Sequence, residues 1–287
     1  MFDPKPNRYP YPKKTDEHYL VVKKNNGAVF DKDYPYVDKS KGFRFRQTLV
    51  RLLLYLVVWP ALRVRLGFRI EGKQNLKKNR ELLRKGAVSC CNHVHMWDYL
   101  GIMRAIRPTR PNILAWAPNL RGENAKLIRI VGGIPIPEND LPATFAYLRA
   151  IRDLLEEGGW LHVYSEGSMW EYYQPIRPFK KGAAYFACRH NKPLIPLAYS
   201  YRKPSWWRKK LFKQYATFTL HIGEPLFADP NLEKTAQVDD LTRRSHEAVC
   251  RLAGINPKEN PYQPIFADDE RVDYYTDEYG IGYKGSW

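Results

Sequence analysis

The feature that most constrains the fold is an alternation. Between residues 87 and 200, short apolar runs of strand type take turns with stretches of helical periodicity. Residues 87–91, Ala-Val-Ser-Cys-Cys, read as a buried strand. Further strands are predicted at 112–117, 160–164 and 193–199, with 215–222 alternating as another and 68–72 fitting a short one. Helices are predicted at 96–106, 124–131, 181–189 and 236–252. A further, amphipathic helix at 141–157 is stopped by Gly158-Gly159. Strands and helices in this order build an α/β layer fold, a sheet flanked by helices.

The chain's 287 residues suffice for one large domain or two small ones. Residues 1–42, with prolines and paired charges but no hydrophobic period, read as a basic irregular arm. Residues 256–287 are polar and aromatic and read as a surface tail. Residues 43–67 are helical with a break at Pro60. No run of about 18 apolar residues occurs, so a full membrane span is not expected. Arg51 and Arg63 bracket a short apolar centre instead. Leucines and Trp59 would enter the acyl boundary of a bilayer and the arginines would meet lipid phosphates, making 43–67 a pair of membrane-interface helices. The plain alternative is a core helix packed on the domain at 68–255.

Charge narrows the partners. The chain has 47 basic and 30 acidic residues, a net charge of +17, so its surface seeks polyanions, nucleic acid or anionic lipid. Cys90, Cys91, Cys188 and Cys250 contain no C-x-x-C pair, which argues against a structural zinc site and for small buried residues in a reducing compartment. No glycine-rich nucleotide-binding motif occurs. The first 14 residues have no apolar segment of signal-peptide type. The expected location is the cytoplasmic face of the cell membrane, peripheral or monotopic.

Chemistry concentrates where strand 87–91 runs into Asn92-His93-Val94-His95-Met96-Trp97-Asp98. Crevices at the carboxyl ends of α/β strands are where ligands bind. A histidine takes a proton from a hydroxyl near neutral pH, and a carboxylate fixes its tautomer and stabilises the imidazolium. His93 and Asp98 are five apart, which on an ideal helix would place them on different faces. Their pairing requires His93 in the turn and Asp98 in the first helical turn, with Asn92 suited to the N-cap region.

Three further segments follow in order: Gly132-Gly133-Ile134-Pro135-Ile136-Pro137, then Tyr164-Ser165-Glu166-Gly167-Ser168, then Lys192-Pro193-Leu194-Ile195-Pro196-Leu197. With the first, they resemble the four blocks of the glycerolipid acyltransferase family, over about residues 68–225. The family's N-H-x-x-x-x-D is matched by Asn92, His93 and Asp98, and its E-G-T-R-S in part by Glu166-Gly167-Ser168. Pro178-Phe179-Lys180-Lys181-Gly182-Ala183 resembles the F-K-x-G-A stretch that comes after.

The resemblance implies a glycerolipid-acyltransferase-like mixed sheet with an N-terminal helical membrane-associating segment. It implies catalysis by His93 and Asp98, with no metal and no cofactor. The acyl thioester of coenzyme A or of acyl carrier protein is the co-substrate, and a lysophospholipid such as 1-acylglycerol-3-phosphate is the acceptor. Asn92, Glu166, Gly167 and Ser168 fall in the substrate-binding blocks, and backbone N–H groups near Gly167 or the second block are candidates for oxyanion stabilisation. Two departures stand out. Glu138 and Met169 occupy positions where the family carries phosphate-gripping arginines, so Arg177, Lys180 and Lys181 are the candidate replacements. A glycolipid or other acceptor without a phosphate monoester is the alternative.

Two other classes compete. His93-x-His95-x-x-Asp98 resembles the start of a binuclear metal-hydrolase site, but the carboxylate stands one place late and no second ligand cluster occurs. Aromatic and basic residues 201–210 would suit a nucleic-acid backbone or a bilayer interface equally. No nucleic-acid-binding motif accompanies them, so nucleic acid is not an expected partner.

Overall fold

The computed structural model describes residues 24–262 together with Phe2, Pro4, Tyr11, Pro12, Glu17, His18 and Val22. The rest of the predicted arm, and the predicted tail beyond residue 262, lie outside the described residues.

Seven strands form one sheet in the order β1-β7-β6-β2-β5-β3-β4. They are β1 Arg69–Glu71, β2 Ala87–Cys91, β3 Pro111–Ala115, β4 Gly133–Pro135, β5 Trp160–Tyr164, β6 Leu194–Arg202 and β7 Thr217–Ile222. Neighbours are parallel except β6 and β7, which run antiparallel, so the sheet is mixed.

The run at 87–91 is buried throughout because helices cover both faces of β2. Ala87 and Cys91 point into one apolar cluster, with Leu100, Ile102 and Met103 of α5 (Asp98–Ala105). Val88 and Cys90 point into the other, with Ile151 and Leu155 of α7 (Leu141–Glu156), Ala183 and Ala187 of α8 (Gly182–Arg189), and Leu241 and Val249 of α10 (Lys234–Ala253). Adjacent cysteines thus serve opposite faces, as strand geometry requires.

The helical stretch before the sheet is continuous: α1 Lys41–Leu53, a π turn Leu54–Val58, and α2 Trp59–Leu66. The π turn has a cause in Pro60. A proline has no N–H and its ring crowds the preceding turn. Here the Trp59 N–H reaches back five residues to the Leu54 carbonyl, and the helix absorbs the misfit without ending.

This segment is not set apart from the sheet. Leu54, Trp59, Leu62 and Leu66 belong to the same core cluster as α5. Arg51 is buried and donates from one guanidinium nitrogen to the carbonyls of Pro111, at 3.0 Å, and Val131, at 2.9 Å. A boundary at 67/68 therefore does not divide the core. The other side of the stretch is bare: Phe45, Leu49, Leu52, Leu53, Leu56, Val57 and Val64 are exposed. Among the described residues, no helix is long and apolar enough to cross a membrane.

Elements not anticipated from sequence are α3 Lys73–Lys78, α4 Arg80–Leu83, a 3-10 turn Ala117–Leu120, strand β4 in the Ile-Pro segment, and α9 Trp206–Phe212 within the aromatic-basic run. Helix α6 Ala125–Ile130 falls inside its predicted range.

Candidate active site

β2 and β5 are parallel neighbours with Cys91 level with Tyr164, so the segments after them, 92–98 and 165–168, emerge side by side. Helix α5 begins at Asp98. His93 lies in the turn before it, the arrangement that a five-residue spacing demands. His93 Nδ1 is 2.8 Å from Asp98 Oδ2.

The same carboxylate oxygen accepts the backbone N–H of Val94 at 3.0 Å and of His95 at 3.3 Å, and Oδ1 accepts the Tyr164 hydroxyl. Burial acts to raise the Asp98 pKa, but the His93 charge and the hydrogen bonds from His93, Tyr164 and Val94 outweigh it and hold the group below the ordinary carboxylate value. An ionised Asp98 only accepts, so Nδ1 carries the proton and Nε2 keeps the lone pair. The face of the imidazole is fixed as well. It stacks on the Tyr164 ring at 3.7 Å between centroids, 7° from coplanar. Burial pushes the Tyr164 phenol well up, keeping it the donor toward Asp98.

Glu166 holds the backbone of this turn. Its Oε2 accepts the His93 N–H at 3.0 Å and an Arg177 guanidinium N–H at 3.0 Å, while Oε1 accepts the Arg177 backbone N–H at 2.9 Å. Residues 170–172 run alongside, with the Trp170 N–H on the His93 carbonyl at 3.1 Å and the Tyr172 N–H on the Val94 carbonyl at 3.0 Å.

A cavity of about 640 Å³ opens at this turn. His93, Asp98, Tyr164, Gly167, Ser168 and Lys180 stand at its polar side. Leu54, Met96, Leu100, Met103, Ile113, Leu127, Val131, Val163 and Phe186 make most of the remaining wall apolar. Its size falls within the range of small-molecule sites.

Several sequence-predicted residues sit differently. Asn92 does not cap α5. Its buried amide donates to the Tyr199 carbonyl at 3.0 Å and accepts the Tyr199 N–H at 2.8 Å, stapling the end of β2 to β6. Arg177 is buried, and its guanidinium is engaged by Glu166 and by Ser168 Oγ at 2.6 Å. That holds the guanidinium in the core instead of presenting it to a phosphate. Lys181 faces outward in an ion pair with Asp239 of α10. Lys180 does line the cavity. Glu138 pairs with Arg121 at 2.7 Å, and Met169 is a buried part of the cavity wall. The Gly167 N–H is itself closed into its own turn on the Tyr164 carbonyl at 3.0 Å.

His95 is turned away from His93. Its Nδ1 accepts the Trp97 N–H at 3.1 Å and its Nε2 lies 3.3 Å from Glu171, an arrangement that commits both ring nitrogens. A metal site on the H-x-H pattern has no second imidazole to draw on here. Burial lowers the His95 pKa to about 4, so the ring is neutral.

Tyr164 and Tyr199 were not singled out by sequence. The Tyr199 hydroxyl donates to the Asp98 carbonyl. The missing signal is strand register, which puts Tyr164 level with the residue before Asn92 and brings β6 beside β2.

No curated protein matches the chain. Among solved structures it is similar to PlsC, the 1-acyl-sn-glycerophosphate (LPA) acyltransferase of Thermotoga maritima, at 18% identity and a TM-score of 0.46 over 74% of this chain and 83% of that one. Residues 67–200 match the family model described as Acyltransferase. That span runs from the end of α2 into β6 and contains both His93 and Asp98, so residues 67–200 of the chain carry an acyltransferase domain.

Proposed function

We propose that the protein transfers a fatty acyl group from an acyl thioester, of coenzyme A or acyl carrier protein, to a hydroxyl of a lysophospholipid such as 1-acylglycerol-3-phosphate. The reaction takes place at the cytoplasmic face of a membrane, on which the bare side of α1 and α2 rests. The observation that carries the reading is the His93–Asp98 pair at the polar side of a cavity whose wall is otherwise mostly apolar.

The steps follow from the tautomer. The Nε2 lone pair of His93 takes the proton of the acceptor hydroxyl as its oxygen attacks the thioester carbonyl. The imidazolium that forms is stabilised by Asp98. Collapse of the tetrahedral intermediate breaks the C–S bond, and the proton on Nε2 passes to the departing thiolate. The acyl chain fits among Leu54, Met103 and Val131, and the polar head lies toward Lys180 and Ser168.

A second reading has a specific observation in its favour. Arg177 and Lys181 are engaged by carboxylates, and Glu138 stands paired with Arg121. Of the three replacement cations, Lys180 is the one that lines the cavity. An acceptor without a phosphate monoester, such as a glycolipid, suits that charge distribution.

The test is a screen with radiolabelled acyl thioester against lysophosphatidic acid, other lysophospholipids and glycolipids. His93→Ala should abolish product while circular dichroism stays native. Near-normal turnover in that variant defeats the proposal, and the preferred acceptor decides between the two readings.

A further inference from the structure

Helix α9 carries apolar groups on the wrong side for a core. Trp206 is 77% exposed and Leu211 is 69% exposed. Exposed Lys203, Lys209, Lys210 and Lys213 surround them. The inward side of the same helix is accounted for. Arg208 donates to the Val64 carbonyl at the end of α2 at 2.8 Å and lies over the Trp207 ring at 4.3 Å, and Trp207 meets Phe212 edge-on. Trp207, Arg208 and Phe212 are thus part-buried, while Trp206 and Leu211 stand outside.

The Arg208 bond seats α9 against the end of α2, where the Val64 side chain is also exposed and the bare apolar side of α1 and α2 begins. Contiguous exposed apolar groups mark an interaction surface. A tryptophan and a leucine ringed by lysines match an anionic bilayer, whose interface takes the indole and whose phosphates take the ammonium groups. A second copy of the chain fits poorly, because two lysine rings would face each other on a molecule of net charge +17. Nucleic acid fits poorly too, because the adjoining surface is mostly aliphatic, with Leu49, Leu52, Leu53, Leu56 and Val57 around the exposed Phe45 ring, and does not present the series of rings on which successive bases stack.

We infer that α9 is a second membrane-contact element, inserting Trp206 and Leu211 into an anionic lipid surface beside α2. The inference rests on the lipid-acceptor reading for its choice of partner, but binding is measured without turnover. The experiment is sedimentation of the full chain with vesicles of equal parts phosphatidylcholine and phosphatidylglycerol, and with pure phosphatidylcholine vesicles. Wild-type protein should prefer the anionic vesicles. Trp206→Ser with Leu211→Ser, and separately Lys209→Glu with Lys210→Glu, should each weaken that binding at least about tenfold. Both should retain native circular dichroism and wild-type acyl transfer between short-chain, water-soluble substrates. Unchanged vesicle affinity in both variants overturns the inference. So does wild-type self-association that the Trp206→Ser, Leu211→Ser variant abolishes, or oligonucleotide binding at matched salt that the variants lose while vesicle binding persists. If wild-type protein turns over no acyl substrate yet binds vesicles through α9, the acyl-transfer reading fails and this one stands.

Discussion

Asp98→Asn separates what the carboxylate does for the geometry of His93 from what it does through charge. Asp98 Oδ2 accepts three N–H groups, from His93, Val94 and His95, while Oδ1 faces the Tyr164 hydroxyl. An asparagine placed with its nitrogen at the Oδ2 position would set its own N–H groups against two backbone donors, each left unsatisfied at a cost of about 1–3 kcal/mol. The amide therefore keeps its oxygen there, the Tyr164 hydroxyl turns to accept, and Nδ1 of His93 stays protonated. What is lost is the negative charge beside the imidazolium of the transition state. At about 4 Å between charge centres and an effective dielectric of about 20, that attraction amounts to about 4 kcal/mol. At about 1.36 kcal/mol per tenfold in rate, kcat should fall about 10³-fold. The assay is release of free thiol from an acyl thioester at saturating acceptor, with a chromogenic thiol reagent. KM for the thioester should change little, since Asp98 is buried behind His93. A kcat within tenfold of wild type, in a variant with native circular dichroism, would refute the charge argument and with it the assignment of Asp98.

Three more outcomes are expected. A Cβ added at Gly101 in α5 would sit 2.2 Å from the Tyr199 hydroxyl, so Gly101→Ala should destabilise the protein by about 1–3 kcal/mol in urea melts. It should also lower kcat, by displacing the hydroxyl that holds the Asp98 carbonyl. Arg177→Met leaves Glu166 charged and buried without its guanidinium partner, which should cost about 3–5 kcal/mol in the same melts. Adding Glu166→Gln should recover part of that loss. Burial lowers the pKa of His95 to about 4, of His162 to about 3 and of His246 to about 4. The unfolded chain binds their protons first, so stability is full above the ordinary histidine value of 6.5 and declines as pH falls toward 4. Urea midpoints should therefore drop steeply below about pH 6, and a flat profile between pH 7 and 4 would contradict the burial of these rings.

Strands β2 and β5 were legible to the residue because apolar runs end at glycines, Gly86 before one and Gly158-Gly159 before the other, and at polar residues after them. β6 extends three residues beyond its predicted end, because Ser200, Tyr201 and Arg202 pair with β7, and that pairing is antiparallel. Strand order and the reversal at β7 have no local signal. Helices α3, α4 and α9 are short and rich in charged residues, which leaves little apolar periodicity to mark them. At the site, the His93–Asp98 pair was legible because both members lie in one turn. Tyr164 was not, because its partner stands 66 residues away and meets it only through sheet register. Arg177 reads as a candidate phosphate-gripping cation because nothing local to it announces Glu166 as its buried counterpart. Membrane-interface helices and a core helix are the two readings of residues 43–67. Packing into the core holds for one side of the helix, and the other side is exposed and apolar.

The Arg51 clamp couples the outer helix to the cavity wall. One guanidinium nitrogen ties helix α1 to the carbonyls of Pro111 and Val131. Val131 and Leu54, three residues on from Arg51, both line the cavity. A force on the outer face of α1, from curvature or lateral pressure in whatever surface it rests on, has a stiff path of two hydrogen bonds to the wall against which an acyl chain would lie.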